Sequence, residues 1–228
     1  MIRALACDID GTITDERRRL HPEAVRLLQR IEEMGVPVVL ATGNILCVTE
    51  AAKTFLGTTG PVIAENGGVI KAPGESEPRY FCDVKSGEIG RAYEYLSSLL
   101  DVRLTHGSEL RRTEIAIYRD HPVEEVKSVL AKFNVQIVDT KFAIHIMDPQ
   151  VNKGRALQQV ADLMGIGIRN FAAIGDSEND REMLELAGLG IAVGDRRLEN
   201  SADLLITEGF AEGGVNALNN VIGRLEKV

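Results

Sequence analysis

Residues 4–12 read "ALACDIDGT". Four small or apolar residues begin a buried strand, and two aspartates, Asp8 and Asp10, stand one residue apart at its end. An isolated carboxylate in a protein interior is costly unless it is paired or binds a metal. Residues two apart on a strand share a side, so both carboxylates face one place. Gly11 and Thr12 then turn the chain. An aspartate turn is the plain alternative. A calcium loop fits poorly, because it needs glycine at its sixth position and Glu at its twelfth; counted from Asp8, glycine is fourth here and Arg19 is twelfth.

Outward from this stretch the chain alternates strand and helix. "HPEAVRLLQRIEEMG", 21–35, is a helix with apolar residues at 24, 27, 28, 31 and 34, Pro22 in its first turn and Gly35 at its end. "VPVVLAT", 36–42, is a strand, "NILCVTEAAKTFLG", 44–57, a helix, and "PVIAENGG", 61–68, a strand and turn. This order predicts a parallel sheet with helical crossovers, a Rossmann-like α/β core. The pattern returns after Lys153, with helices expected over 153–165, 180–188 and 212–228 and strands over 170–176, 190–194 and 203–207.

The middle differs. "KAPGESEPRYF", 71–81, has the Pro and Gly of a hairpin or boundary. Helices are expected over 86–100 and 122–134, and strands at "TEIAIYR", "VQIVDT" and "FAIHIMD", the last two joined by a turn near Lys141. Alternating strands predict an antiparallel sheet covered on one side only. The expected organisation is therefore a core from 1–82 and 153–228, with a small α+β module, 83–152, inserted as a cap.

Composition narrows the function. The 228 residues are 44% hydrophobic with no Trp, so the core is aliphatic. The net charge is −8 and no basic stripe is present, which argues against nucleic acid. Three cysteines without framework spacing read as free thiols of a reducing compartment. No signal-peptide layout and no apolar run near the ~20 residues of a membrane span make the expectation a cytoplasmic protein, off the membrane, as a monomer or homodimer.

Three strands end in polar clusters: "DIDGT", "ATGN" and "GDSEND". In open parallel sheets ligands bind beyond the carboxyl ends of the strands. Asp176 and Asp180 are four apart and share a face if a helix starts there; capping by Asp176 or Ser177 explains only one such residue. Four like charges together need a cation, and all-oxygen donors favour Mg²⁺. Thr42, Gly43 and Asn44 lead into a helix whose N–H groups suit an anion, although for this tetrapeptide alone an ordinary N-cap is the favoured reading. Lys153 opens a helix, where a surface lysine is the default, but a cation that reaches the crevice would balance an anionic ligand. No Walker loop, G-x-S-x-G or H-E-x-x-H occurs. A carboxylate nucleophile that forms an aspartyl-phosphate is the natural remaining chemistry, and these residues alone do not decide which aspartate attacks.

"DIDGT", "ATGN", Lys153 and "GDSEND", in this order from residue 8 to 180, resemble the haloacid dehalogenase superfamily of aspartate-nucleophile phosphatases. The size of the insert, with "TGN" and "ENGG", is most similar to the archaeal phosphoglycolate phosphatase branch. The resemblance implies that Asp8 takes the phosphoryl group. Asp10 would protonate the leaving alcohol and then activate water. Thr42 would bond a phosphate oxygen, and Lys153 would hold Asp8 and phosphate together. Asp176 and Asp180 would place Mg²⁺, with Asp8 and the Asp10 main-chain carbonyl as further ligands. Many capped relatives carry Arg at the position of Asn44, which weakens phosphate gripping there. Arg111, Arg112 and His145 are the insert's candidates for substrate contact, against the ordinary expectation of solvated arginines and a structural histidine. The implied substrate is a small phosphorylated metabolite, 2-phosphoglycolate; a sugar-phosphate phosphatase, a phosphomutase and a non-catalytic Mg²⁺- or phosphate-binding regulator are the alternatives.

Overall fold

The computed structural model describes residues 1–84, 87–140 and 142–227. The chain first lays down β1 (Ala4–Cys7), α1 (Pro22–Glu33), β2 (Val38–Ala41), α2 (Leu46–Leu56), β3 (Val62–Ala64), β4 (Val69–Lys71) and β5 (Arg79–Tyr80). It continues with α3 (Glu88–Leu99), β6 (Glu114–Ile117), α4 (Val123–Leu130), β7 (Gln136–Asp139) and β8 (Ile144–Met147). The last part holds α5 (Lys153–Met164), β9 (Phe171–Gly175), α6 (Arg181–Leu186), β10 (Leu189–Val193), β11 (Leu204–Ile206) and α7 (Phe210–Leu225).

Among the described residues the main sheet has eight strands in the order β11-β10-β9-β1-β2-β3-β4-β5. The pairs from β11 to β3 are parallel. β1 lies between β2 and β9, with Leu5 opposite both Val38 and Ala172. It is covered on both faces, which explains its unbroken apolar run. Leu5 and Cys7 pack on one side with Leu28 and Ile31 of α1 and Leu218 and Val221 of α7. Ala4 and Ala6 pack on the other with Leu157 and Val160 of α5 and Met183 of α6. The α/β fold is the expected one. The hairpin expected near 71–81 is β4–β5, antiparallel, and it extends the core sheet as its edge. Its first strand begins at Val69, two apolar residues being too few to stand out in the sequence.

The second sheet, antiparallel in the order β6-β8-β7, takes its strands from between Glu114 and Met147. Ile117, Ile144 and Ile146 pack against Ile89 and Leu96 of α3 and Val126 and Leu130 of α4. The sequence predicts that the opposite face is wet. It is not: Glu114, Ala116 and His145 on that face are buried. They lie over the carboxyl ends of the core strands, where Asn66 meets Glu114 at 2.8 Å. The expected start of α3 at Ser86 and the turn near Lys141 lie outside the described residues.

Gly214, in the second turn of α7, sets how closely this helix approaches the loop after β1. A Cβ there would sit 1.8 Å from the Thr12 carbonyl oxygen. Gly223, further along the same helix, has nothing within 4 Å of that position. Gly223→Ala should therefore stabilise by about 0.5–1 kcal/mol, the ordinary helix preference for Ala. Gly214→Ala should instead destabilise by ~1–3 kcal/mol through overpacking. Urea unfolding of the two variants checks the contrast; equal midpoint shifts would refute the close approach.

Candidate active site

Asp8 stands one residue past β1, where its N–H still donates to the Ile174 carbonyl at 3.0 Å. Its side chain is buried. Oδ1 accepts from Lys153 Nζ at 2.7 Å and Oδ2 from the Thr12 hydroxyl at 3.1 Å. Lys153 is the first residue of α5 and is 1% exposed. Asn152 caps that helix, its Oδ1 accepting from the Arg155 N–H at 2.8 Å. The start of α5 lies against α6 because of Gly154, where a Cβ would be 2.6 Å from the Glu182 carbonyl carbon.

The same ammonium donates to Asp180 Oδ1 at 2.7 Å. Asp180 Oδ2 accepts from the N–H groups of Asp176 and Ser177, at 3.0 and 3.1 Å. The four-residue spacing of "GDSEND" thus closes a loop that presents Asp176 beside Asp8. Gly11, at φ +87°, leaves the room: a Cβ there would lie 2.2 Å from Asp176 Oδ2. Burial tends to lower the Lys153 pKa, but Asp180 and Asp8 outweigh it and keep the ammonium charged above its ordinary range. Burial pushes Asp8 up, Lys153 pulls it down, and Asp180 and Asp176 push it up further. Oxygens of Asp8, Asp176 and Asp180 lie within 4.8 Å of one another. Three carboxylates against one ammonium leave surplus negative charge, and an all-oxygen donor set suits a hard divalent cation.

The sequence brings four carboxylates to this sheet edge, but only three meet. Asp10 lines the same cavity with its carboxylate turned elsewhere. Its Oδ1 accepts from Arg18 Nε at 2.6 Å, and its Oδ2 from Arg18 Nη2 at 3.1 Å and Asn44 Nδ2 at 2.5 Å. Thr42 is buried, and its hydroxyl oxygen accepts from both Asn44 N and Asn44 Nδ2, at 3.1 and 3.0 Å. A hydroxyl has two acceptor positions and one proton, so this proton remains to be given to a ligand. Gly43 offers its carbonyl to Arg111 Nη1 at 3.0 Å.

The second sheet roofs a cavity of about 180 Å³ over these groups. Glu114 is central to the roof. Its buried carboxylate accepts from Arg111 Nη1, His145 Nδ1 and Asn66 Nδ2. Burial alone raises the Glu114 pKa, but His145 and Arg111 outweigh it and hold the group below its ordinary range. Asn66 Oδ1 accepts in turn from Asn179 Nδ2 at 2.8 Å, which joins the roof to the "GDSEND" loop. Glu65 and Asn66 both have positive φ, 49° and 55°. Glu65 accepts from the Thr113 N–H and hydroxyl, at 2.8 and 2.7 Å, and fixes the start of β6. Arg111 and His145 line the cavity, whereas the Arg112 guanidinium lies 5.8 Å over the Tyr80 ring. Sequence reasoning singled out neither Glu65, Asn66, Glu114, Asn179 nor Arg18. For "ENGG" a signal was present: it is a fourth polar cluster at the carboxyl end of a core strand.

Comparison with known proteins agrees with this geometry. The profile of the haloacid dehalogenase-like hydrolase family matches residues 5–100 and 114–217. A protein named phosphoglycolate phosphatase from Methanothermobacter thermautotrophicus is 45% identical over 224 residues, 97% of this chain and 100% of its own length. One of the same name from Methanopyrus kandleri is 38% identical over 232 residues, 99% and 100% of the two chains. Among solved structures, one from Thermoplasma acidophilum superposes with a TM-score of 0.86 at 24% identity over 100% of both chains, a likeness of fold. A chain of this sequence, with Asp8, Lys153 and the "GDSEND" loop gathered at one sheet edge, belongs to the haloacid dehalogenase-like hydrolases.

Proposed function

We propose that this protein is a phosphatase of small phosphate monoesters, with 2-phosphoglycolate as substrate, working through an aspartyl-phosphate on Asp8. One observation carries the reading: Asp8, held by Lys153 and Thr12, shares a small roofed cavity with a second carboxylate, Asp10. The full-length relatives named phosphoglycolate phosphatase support the substrate. The segments 1–82 and 153–228 are the catalytic core in this reading, and 83–152 is its cap.

The donor set fits Mg²⁺, which Asp8, Asp176 and Asp180, with the Asp10 main-chain carbonyl, would hold. When bound, it supplies charge neutralisation at the phosphoryl oxygens. The residues divide the remaining work. Lys153 and Thr12 fix the Asp8 carboxylate so that one oxygen can attack phosphorus in line. The Thr42 hydroxyl and the N–H groups entering α2 receive the phosphoryl oxygens. Asp10 delivers a proton to the departing alcohol oxygen and later withdraws one from the water that cleaves the acyl phosphate. Lys153 offsets the charge that Asp8 and the phosphate bring together. The cap excludes bulk water.

Phosphate release from 2-phosphoglycolate should require Mg²⁺, stop with EDTA and return when Mg²⁺ is restored. Asp8→Asn should lower it by more than about a thousand-fold, as loss of a nucleophile does. Release that persists through both treatments refutes the mechanism, and poor use of 2-phosphoglycolate within a panel of phosphate esters refutes the substrate.

Lys153→Met should leave Asp8 and Asp180 buried without their counter-charge. The expected loss is about 3–5 kcal/mol of stability in metal-free buffer, read by denaturant unfolding. Added Mg²⁺ should raise the midpoint further in this variant than in the wild-type protein. An unchanged metal-free midpoint would show that the ammonium is not what holds the carboxylates together.

A further inference from the structure

Arg18 is at the tip of a tight hairpin between β1 and α1. Asp15 Oδ1 accepts from the N–H groups of Arg17 and Arg19, both at 2.9 Å, and Thr14 bridges to Leu20. At φ +61° Arg18 adopts a left-handed conformation unusual for its type. The turn aims its guanidinium into the cavity mouth. There it is bonded twice to Asp10 and, through Nη2, to Asn44 Oδ1 at 2.9 Å. Its other face is 5.0 Å from the centre of the Phe142 ring, on the cap side.

This arrangement is at odds with the work assigned to Asp10. Both Asp10 oxygens accept from Arg18, and one accepts from Asn44 as well. Three of the roughly four acceptor positions of this carboxylate are thus taken, and in the phosphatase reading the pair with Arg18 parts so that Asp10 can meet a leaving group. It is close to half-exposed on the arginine side, 45%, and such pairs contribute little net stability and exchange readily. What replaces Asp10 should present the same planar pair of oxygens, because the guanidinium fork matches a carboxylate in bidentate fashion. Arg111 is a poorer candidate. Its charge is already met by buried Glu114, and its Nη1 is bonded to Glu114 and the Gly43 carbonyl.

We propose that Arg18 is a specificity-determining residue that exchanges Asp10 for the carboxylate of the substrate. The exchange selects phosphate esters with an acid group near the phosphate, and it frees the Asp10 oxygens only when such a substrate is seated. Phe142 keeps the guanidinium at the cavity mouth in both states by stacking on its face. This inference rests on the phosphatase reading above.

The test compares kcat/KM for 2-phosphoglycolate with that for 2-hydroxyethyl phosphate, which has an alcohol in place of the carboxylate. In Arg18→Gln the preference for the acid should fall on the order of ten- to a hundred-fold, the loss of one charge-assisted contact. Most of the fall should be in KM, and Arg18→Lys should recover part of it. A preference unchanged in Arg18→Gln, with an unfolding midpoint equal to wild type, overturns the inference and leaves the phosphatase reading standing. A wild-type protein that releases phosphate from neither ester in Mg²⁺ overturns both.

Discussion

A single ammonium group, buried between two carboxylates, organises this molecule. Lys153 reaches Asp8 and Asp180 at equal distances of 2.7 Å. These residues arrive from three separated segments: the end of β1, the start of α5 and the loop before α6. Each charge alone would be expensive to bury, and together they are tolerable. The parallel sheet supplies the framework that lets them meet, since β1 and β9 are neighbours and both end at this edge. Gly154 and Gly214 let helices α5 and α7 come close enough for the loops to interlock. Fold and site are thus one problem of charge compensation solved by topology.

The roof follows from the same logic on a smaller scale. Glu114 is wholly enclosed, yet it is met by Arg111, His145 and Asn66. Asn66 serves both layers, giving an amide hydrogen upward to Glu114 and taking one from Asn179 below. Glu65, its neighbour, fixes the entry to β6 through Thr113. Two consecutive residues in left-handed conformations therefore carry the contact between the layers. Strain of this kind persists where surrounding bonds over-determine it. A polar network of this depth is worth most when every member is satisfied.

Much of this was readable from the chain. β1, β2 and β9 declare themselves as apolar runs, and Asp8 and Asp176 stand out because charge at the end of a buried run is anomalous, whereas Lys153, which follows the polar stretch "DPQVN", reads by itself as an ordinary surface lysine. Local patterns of a few residues carry that information. The contact of Asn66 with Glu114 does not yield to it: the two meet across 48 residues, and although "ENGG" marks the end of a core strand, nothing local to either residue names its partner. Glu114 sits in an alternating strand where a polar residue is ordinary, so burial of its face is set by docking and not by period. Arg18 is hidden by composition. It belongs to the run "DERRR", 15–19, which has the look of a solvated loop, and only the left-handed turn separates it from Arg17 and Arg19. The hairpin at 69–80 shows the converse, its turn signals being plain while its strands are too short to notice.

Gly11 and Asp176 occupy one volume between them. A side chain at position 11 would displace the carboxylate at position 176, and a smaller residue at 176 would remove one of the three acids that gather there. Neither position can drift on its own. A substitution at position 11 is therefore felt as a displaced carboxylate 165 positions further along the chain, so two residues far apart in sequence behave as a single steric unit.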